Sequence, residues 1–118
     1  MYPGVDILEI ERFALACARR PRLCERIFSA REREELAGRR IESWAVRFAA
    51  KEAVLKAIGT GLAGFSWHDI EIVASRTGEP LVYLSPRVEA KVRERGGTNV
   101  HVSLSHNRTQ VVAMAILS

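Results

Sequence analysis

The chain has no apolar run long enough to cross a membrane. Its longest, Val111 to Leu117, is seven residues, against the roughly 20 that a helix needs to span the hydrocarbon core. No secretory leader is expected either, since Met1 runs into Tyr2-Pro3-Gly4 with neither a basic stretch nor an apolar segment behind it. The cytoplasm is therefore the expected compartment. Cysteine is nearly absent. Cys17 and Cys24 stand seven apart, a spacing that suits neither a C-x-x-C redox pair nor a zinc site, and two cysteines make no disulfide framework. Both are expected to be reduced, as packing residues or inert thiols. Proline (4) and glycine (8) are too few and too scattered to form a linker. With no repeat or low-complexity segment, residues 1–118 read as one domain. Compositional extremes are lacking too: apolar residues make up 47% and charged residues 27% of the 118. That is ordinary globular usage, and a chain of this size buries roughly two-thirds of its unfolded surface.

What is present unevenly is arginine. Between Arg12 and Arg40 there are nine arginines against four glutamates, a local surplus of five positive charges where the whole chain carries +4. Such a face is either simply solvated or receives an acidic partner, whether nucleic acid, membrane surface or acidic protein.

Hydrophobic spacing divides the chain into helices first and strands later. Gly4 to Leu8 reads as a short, central, buried strand with Asp6 as its odd member. Apolar residues at 10, 13, 14 and 17 give a helix from Ile10 to Arg19, stopped by Pro21. A second short helix is expected from Arg22 to Phe28, and Ser29 with Glu32 has the form of a capping box that starts a third. Ile41 to Ile58 is the long helix, closed by Gly59. Asp69 to Val73 and Leu81 to Leu84 alternate as strands, and Ser85-Pro86 launches a helix over Arg87 to Arg95. Val100 to Leu104 is a further strand, and Gln110 to Leu117 returns as a buried one after a turn at residues 106–109. The fold class is α+β, with helices mostly in the first half packed on a small antiparallel sheet.

The long helix poses the functional question. At one residue per 100°, Val46, Ala49, Ala50, Ala53 and Ala57 share a face of small side chains that lets a neighbour come close, and apolar residues cover most of the rest. Yet Glu52 and Lys56 stand together, four apart, inside that apolar setting, while Arg47 and Lys51 form a second charged edge. An exposed pair of this kind is worth about 0.2–0.5 kcal/mol; a partly buried one costs desolvation unless a metal or an anion completes it. Arg47 and Lys51 would be solvated, bind a ligand or meet another subunit. Gly59-Thr60-Gly61 follows the helix, at the negative end of its dipole, so it is a cap and turn rather than a P-loop. Asp6 repeats the puzzle of a carboxylate among apolar residues. Together Asp6 and Glu52, with a lysine beside them, would suit a magnesium ion that takes its other oxygens from phosphate and water.

Longer motifs then come into view. Gly4-Val5-Asp6-Ile7-Leu8-Glu9-Ile10-Glu11-Arg12 resembles the G-x-D-x-x-x-I-x-R opening of the small phosphopantetheinyl transferases of the holo-[acyl-carrier-protein] synthase type, and the stretch from Arg47 to Gly61 resembles their second signature. Asp69-Ile70-Glu71-Ile72, Gly78-x-Pro80 and His101 to His106 follow in the family's order. The resemblance implies the phosphopantetheinyl transferase fold and an enzyme that moves 4'-phosphopantetheine from coenzyme A to a serine of an apo acyl carrier protein, releasing adenosine 3',5'-bisphosphate. It implies Asp6 and Glu52 as ligands of Mg2+, Glu52 or a metal-bound water as the base, and Lys56 on the pyrophosphate. Arg47, Lys56, Gly59, Thr60, Gly61, Ser105 and His106 match positions that line coenzyme A in that family. Carrier docking by the first helix begins, by resemblance, with Arg12; spacing extends it to Arg19, Arg22 and Arg26. A homotrimer with active sites at subunit interfaces is implied as well. Pro3 departs from the family pattern, which more often has a β-forming residue there.

The rival reading is a non-enzymatic, arginine-rich module that binds nucleic acid. Only Phe13 and Phe28 accompany the arginines as stacking groups, and no nucleic-acid signature is present. It also leaves Asp6 and Glu52 unexplained.

Overall fold

A computed structural model describes residues 1–118. In chain order the elements are β1 (Tyr2–Glu9), α1 (Ile10–Arg19), α2 (Leu23–Ile27), α3 (Ala30–Leu36), α4 (Ile41–Ile58), β2 (Ile70–Ala74), β3 (Pro80–Leu84), α5 (Pro86–Glu94), β4 (Val100–His106) and β5 (Gln110–Leu117), with one 3-10 turn at Trp67–Asp69. The expected helices and strands are all present.

Two sheets, not one, carry the strands. β2 and β3 form an antiparallel hairpin of their own, while β5 lies between β1 and β4 in a three-stranded antiparallel sheet. The sheet expected from the second half of the chain thus takes its third strand from the N-terminus. β1 is an edge strand rather than the central one its sequence suggested. The reason lies in which residues alternate: Gly4 and Asp6 point inward, whereas Val5 and Ile7 point outward and are exposed. An edge also tolerates Pro3, whose missing N–H is needed by no second neighbour.

β5 is half-buried, where full burial was expected of it. Val111, Ala113, Ala115 and Leu117 face inward and are buried, while Val112 and Met114 face out. Against the inward face lies α4, with Ala49, Ala50, Ala53 and Ala57 wholly buried. The small side chains do what their spacing predicted. Strand and helix come so close that a Cβ built on Gly4 would sit 2.1 Å from the Ala53 carbonyl oxygen and 2.6 Å from the Ala57 nitrogen. Only glycine fits there, and its position fixes β1 directly on the α4 backbone.

On its other flank α4 is held by a buried polar cluster. The Lys51 side chain, wholly inaccessible, donates to the Ile27 carbonyl at 2.8 Å and to Glu32 at 2.5 Å. Glu32 also accepts from the Ser29 and Ile72 backbone N–H groups at 2.9 and 2.8 Å. The capping box is present, but its glutamate has a second task, tying α2, α3, α4 and β2 together. Arg47, also buried, donates to the Ile72 carbonyl at 2.7 Å and pairs with Glu35. The Arg47–Lys51 edge is therefore structural: it is neither solvated nor open to a ligand within this chain.

Candidate functional site

With Gly4 pressed on α4, the next inward residue of β1 is Asp6, and it meets the face of α4 that carries Lys56. The Lys56 ammonium donates to Asp6 Oδ1 and to the Val5 carbonyl oxygen, both at 3.0 Å. Glu52, one turn back on the same helix, forms no ion pair with Lys56. The i, i+4 pairing that the helix offered is passed over for a partner 50 residues away. Glu52 is half-buried, and its carboxyl is pushed above the ordinary glutamate range first by burial and then by the charge of Asp6, with Lys56 offsetting part of the effect. The charge of Asp6 thus reaches Glu52, and Lys56 bridges strand and helix at the same place.

Beside them opens a cavity of about 560 Å³, lined by Glu52, Leu55, Lys56, Gly59, Gly61, Leu62 and Trp67. One wall is charged and the other apolar. Gly59, in the left-handed conformation (φ +87°), caps α4 with its N–H on the Leu55 carbonyl. That sharp exit turns the chain so that Gly61 and Leu62 come back over the end of the helix. Trp67 is positioned by a tilted contact with Phe48, whose ring centroid lies 5.2 Å away at an interplanar angle of 58°. Leu55, Leu62 and Trp67 gave no functional signal in the sequence, because apolar residues near a helix end look like core until the loop's path is known.

The residues fit a divalent cation of a particular kind. No group of three or more histidine, cysteine, aspartate or glutamate side chains gathers anywhere in the chain, so a cation held at Asp6 and Glu52 would have those two carboxylates and no third such side chain. Two carboxylates suit magnesium, which keeps several waters and binds through one or two carboxylates plus substrate phosphates. They do not suit structural zinc, which asks for four protein ligands.

The remaining expected residues are divided among other places. Thr60 lines a neighbouring cavity of about 330 Å³ with Ile58, Gly59, Lys91, Glu94 and Arg95. His106 lies at the opposite end of α4, in a cavity of about 500 Å³ with Arg40, Glu42, Ser43, Asn107 and Arg108. From Ser43 to Lys56 the helix rises roughly 20 Å, so His106 and Lys56 of one chain do not line one cavity. Ser105 sits on the outward face of the sheet, in register with Val112. Arg47 is withdrawn into the core, as above, and does not join the grouping. Arg12, Arg19, Arg22 and Arg26 are all exposed and belong to no ion pair, and Arg20, Arg22 and Arg26 line a shallow basic cavity of about 350 Å³ with Leu23 and Glu25.

This geometry has counterparts among known proteins. Residues 2–115 match the family model described as the 4'-phosphopantetheinyl transferase superfamily. The holo-[acyl-carrier-protein] synthase of Salinispora arenicola is 47% identical over 115 residues, covering 96% of this chain and 93% of the relative. Among solved structures, the holo-[acyl-carrier-protein] synthase of Neisseria meningitidis superposes with a TM-score of 0.89 at 30% identity, over 99% of this chain and 97% of that one. The Helicobacter pylori synthase in complex with coenzyme A gives 0.86 at 30% identity, over 98% and 99%. Sequence and fold agree over nearly the full length, and the chain belongs to the 4'-phosphopantetheinyl transferase superfamily.

Proposed function

We propose that residues 1–118 act as one domain, a holo-[acyl-carrier-protein] synthase that moves 4'-phosphopantetheine from coenzyme A to a serine of an apo acyl carrier protein. The observation that carries the reading is the meeting of Asp6, Glu52 and Lys56 beside a cavity with an apolar far wall. The charged wall suits the pyrophosphate of coenzyme A, and Leu55, Leu62 and Trp67 suit the less polar pantetheine arm. Asp6 and Glu52 would hold Mg2+, which supplies positive charge to the phosphoryl oxygens. Most of such chemistry is positioning and charge neutralisation. The serine oxygen forms a bond to the β-phosphorus as the bridging P–O bond breaks, and adenosine 3',5'-bisphosphate leaves. Glu52, or a water held by the metal, would take the hydroxyl proton. Lys56 stabilises the charge on the departing phosphate.

The split between the Lys56 and His106 cavities supports a homotrimer with active sites at subunit interfaces, in which His106 of one chain completes the site of another. The outward face of the sheet suits this assembly: Val5, Ile7, Val112 and Met114 are exposed there side by side, at 55, 63, 36 and 48%. Mixing inactive Glu52→Gln and inactive His106→Ala chains should restore activity if the site is shared; no recovery would confine it to one chain. The exposed arginines of α1 and α2 would receive the acidic carrier. No helix is long and apolar enough to cross a membrane, and cytoplasmic action on a carrier protein fits that.

The deciding experiment incubates the chain with coenzyme A, Mg2+ and apo acyl carrier protein, and reads the carrier by mass spectrometry. Phosphopantetheine on the serine is the expected product; no adduct on any carrier tested sinks the proposal. The nucleic-acid module has no use for the Asp6–Lys56 pair, and family membership weighs against it.

A further inference from the structure

Lys56 is oddly placed for a residue whose task is to hold phosphate. Both of its partners, Asp6 Oδ1 and the Val5 carbonyl oxygen, are on β1, each at 3.0 Å. Asp6 is the better buried of the pair, with 15% of its side chain accessible against 53% for Lys56. The carboxylate is therefore fixed while the ammonium sits at the end of a flexible, half-exposed stem. A divalent cation at Asp6 and Glu52 would find a positive charge already on one of its two ligands. Two cations at one carboxylate repel, and the half-exposed Lys56 is the one free to move.

We propose that Lys56 is an exchangeable counter-ion: it occupies Asp6 until a divalent cation arrives with a pyrophosphate, then releases Asp6 to the metal and moves onto the phosphate oxygens. The inference rests on the transferase reading and deepens it, because it states in what form the site accepts its metal. A bare divalent cation must displace Lys56 into water with no new anion to meet. A cation accompanied by pyrophosphate brings the anion with it. Metal and coenzyme A therefore bind with positive coupling, and by linkage each tightens the other by the same factor. The Val5 carbonyl, a neutral acceptor beside Asp6, keeps the ammonium close to the site in the resting protein.

Direct binding reads this without any turnover. Free Mn2+ is titrated by its electron paramagnetic resonance signal against the full-length parent chain, Lys56→Met, Lys56→Arg and Asp6→Asn. Coenzyme A binding is then measured by calorimetry with and without Mn2+. Lys56 is half-exposed, so methionine is accommodated. Lys56→Met should bind Mn2+ alone at least about tenfold more tightly, equivalent to about 1.4 kcal/mol, and should lose most of the Mn2+-dependent gain in coenzyme A affinity. Lys56→Arg should stay near the parent in both. Unchanged or weaker Mn2+ binding in Lys56→Met, with Asp6→Asn still weakening it, overturns the exchange and leaves the transferase reading intact. If Asp6→Asn has no effect on Mn2+, the metal is not on Asp6 and the exchange falls with it. Failure of the transferase reading has its own mark, a carrier that never gains phosphopantetheine.

Discussion

At the scale of single residues, three charges of one helix segment have three different fates. Lys51, Glu52 and Lys56 lie within six positions, yet Lys51 is sealed in the core, Glu52 is half-buried without an ion pair, and Lys56 reaches across to β1. Glu52 is the strained member. Its carboxyl is held above the ordinary range by burial and by Asp6, so its ionised form costs folding free energy. The cost is absent below the ordinary glutamate value of 4.5 and grows as pH rises through the higher folded value. In the presence of chelator, Glu52→Gln should therefore melt at a higher temperature than the parent at pH 7, and the gap should close as pH falls toward 4.5. The same substitution should reduce phosphopantetheine transfer by about 10²-fold or more, the usual contribution of a general base. A lower melting temperature at pH 7 would show that Glu52 is stabilising after all.

At the scale of elements, α4 is a beam clamped from two sides. Small residues and Gly4 set its distance from the sheet, and the Lys51–Glu32 cluster ties it to α2, α3 and β2. Burial lowers the Lys51 pKa, with Glu32 working against that shift, so the pair survives because every polar atom has a partner. Lys51→Ala leaves Glu32 charged and buried without its counter-ion and should destabilise by about 3–5 kcal/mol, read as a lower denaturant midpoint. Adding Glu32→Gln to Lys51→Met should cost less than the two single changes summed.

The ends of the hairpin behave differently in acid. For Glu35 and Asp69 burial would raise the pKa, but it is outweighed: Glu35 by hydrogen bonds from Arg47 and the Ala74 N–H and by the charge of Arg47, Asp69 by the Ser66 N–H and Arg87. Both are held below their ordinary values of 4.5 and 3.8. Their contribution is complete above those values and is lost as pH falls through the lower folded ones. Melting temperature should thus drop on acidification below about pH 4, and less steeply in Asp69→Asn.

At the scale of the whole molecule, the charge distribution sets a basic surface beside the candidate site. Arginines without ion-pair partners crowd α1 and α2, beside the 3-10 turn whose Trp67 lines the Lys56 cavity; His68 Nε2 of that turn lies 2.8 Å from the Glu25 carbonyl oxygen of α2. A double substitution of Arg22 and Arg26 by Glu should raise KM for the acyl carrier protein at least about tenfold, through lost electrostatic attraction, with KM for coenzyme A changed less than about twofold. Equal effects on both would place these residues in the nucleotide site. The carrier effect should shrink with added salt, because exposed charges are screened beyond about 10 Å at 0.1 M ionic strength.

The sequence by itself determined the elements and the chemical cast. Local spacing sets helices and strands because each needs only its own periodicity, so α1 and α4 were legible to their end residues and the Gly59 cap with them. Asp6, Glu52 and Lys56 stood out because a charge in an apolar pattern is costly unless something completes it. What only the tertiary structure decided was pairing. Helical spacing made Glu52 the natural partner of Lys56, but the close strand–helix approach that only a glycine at position 4 allows brought Asp6 within 3.0 Å of Lys56. Arg47 matched a ligand position, yet Ile72 and Glu35, 25 and 12 residues away, drew it inside. The run from Val111 to Leu117 reads as uniformly apolar. Only the sheet's two faces divide it, one turned to α4 and one exposed, because a strand's alternation has no meaning until its neighbours define inside and outside.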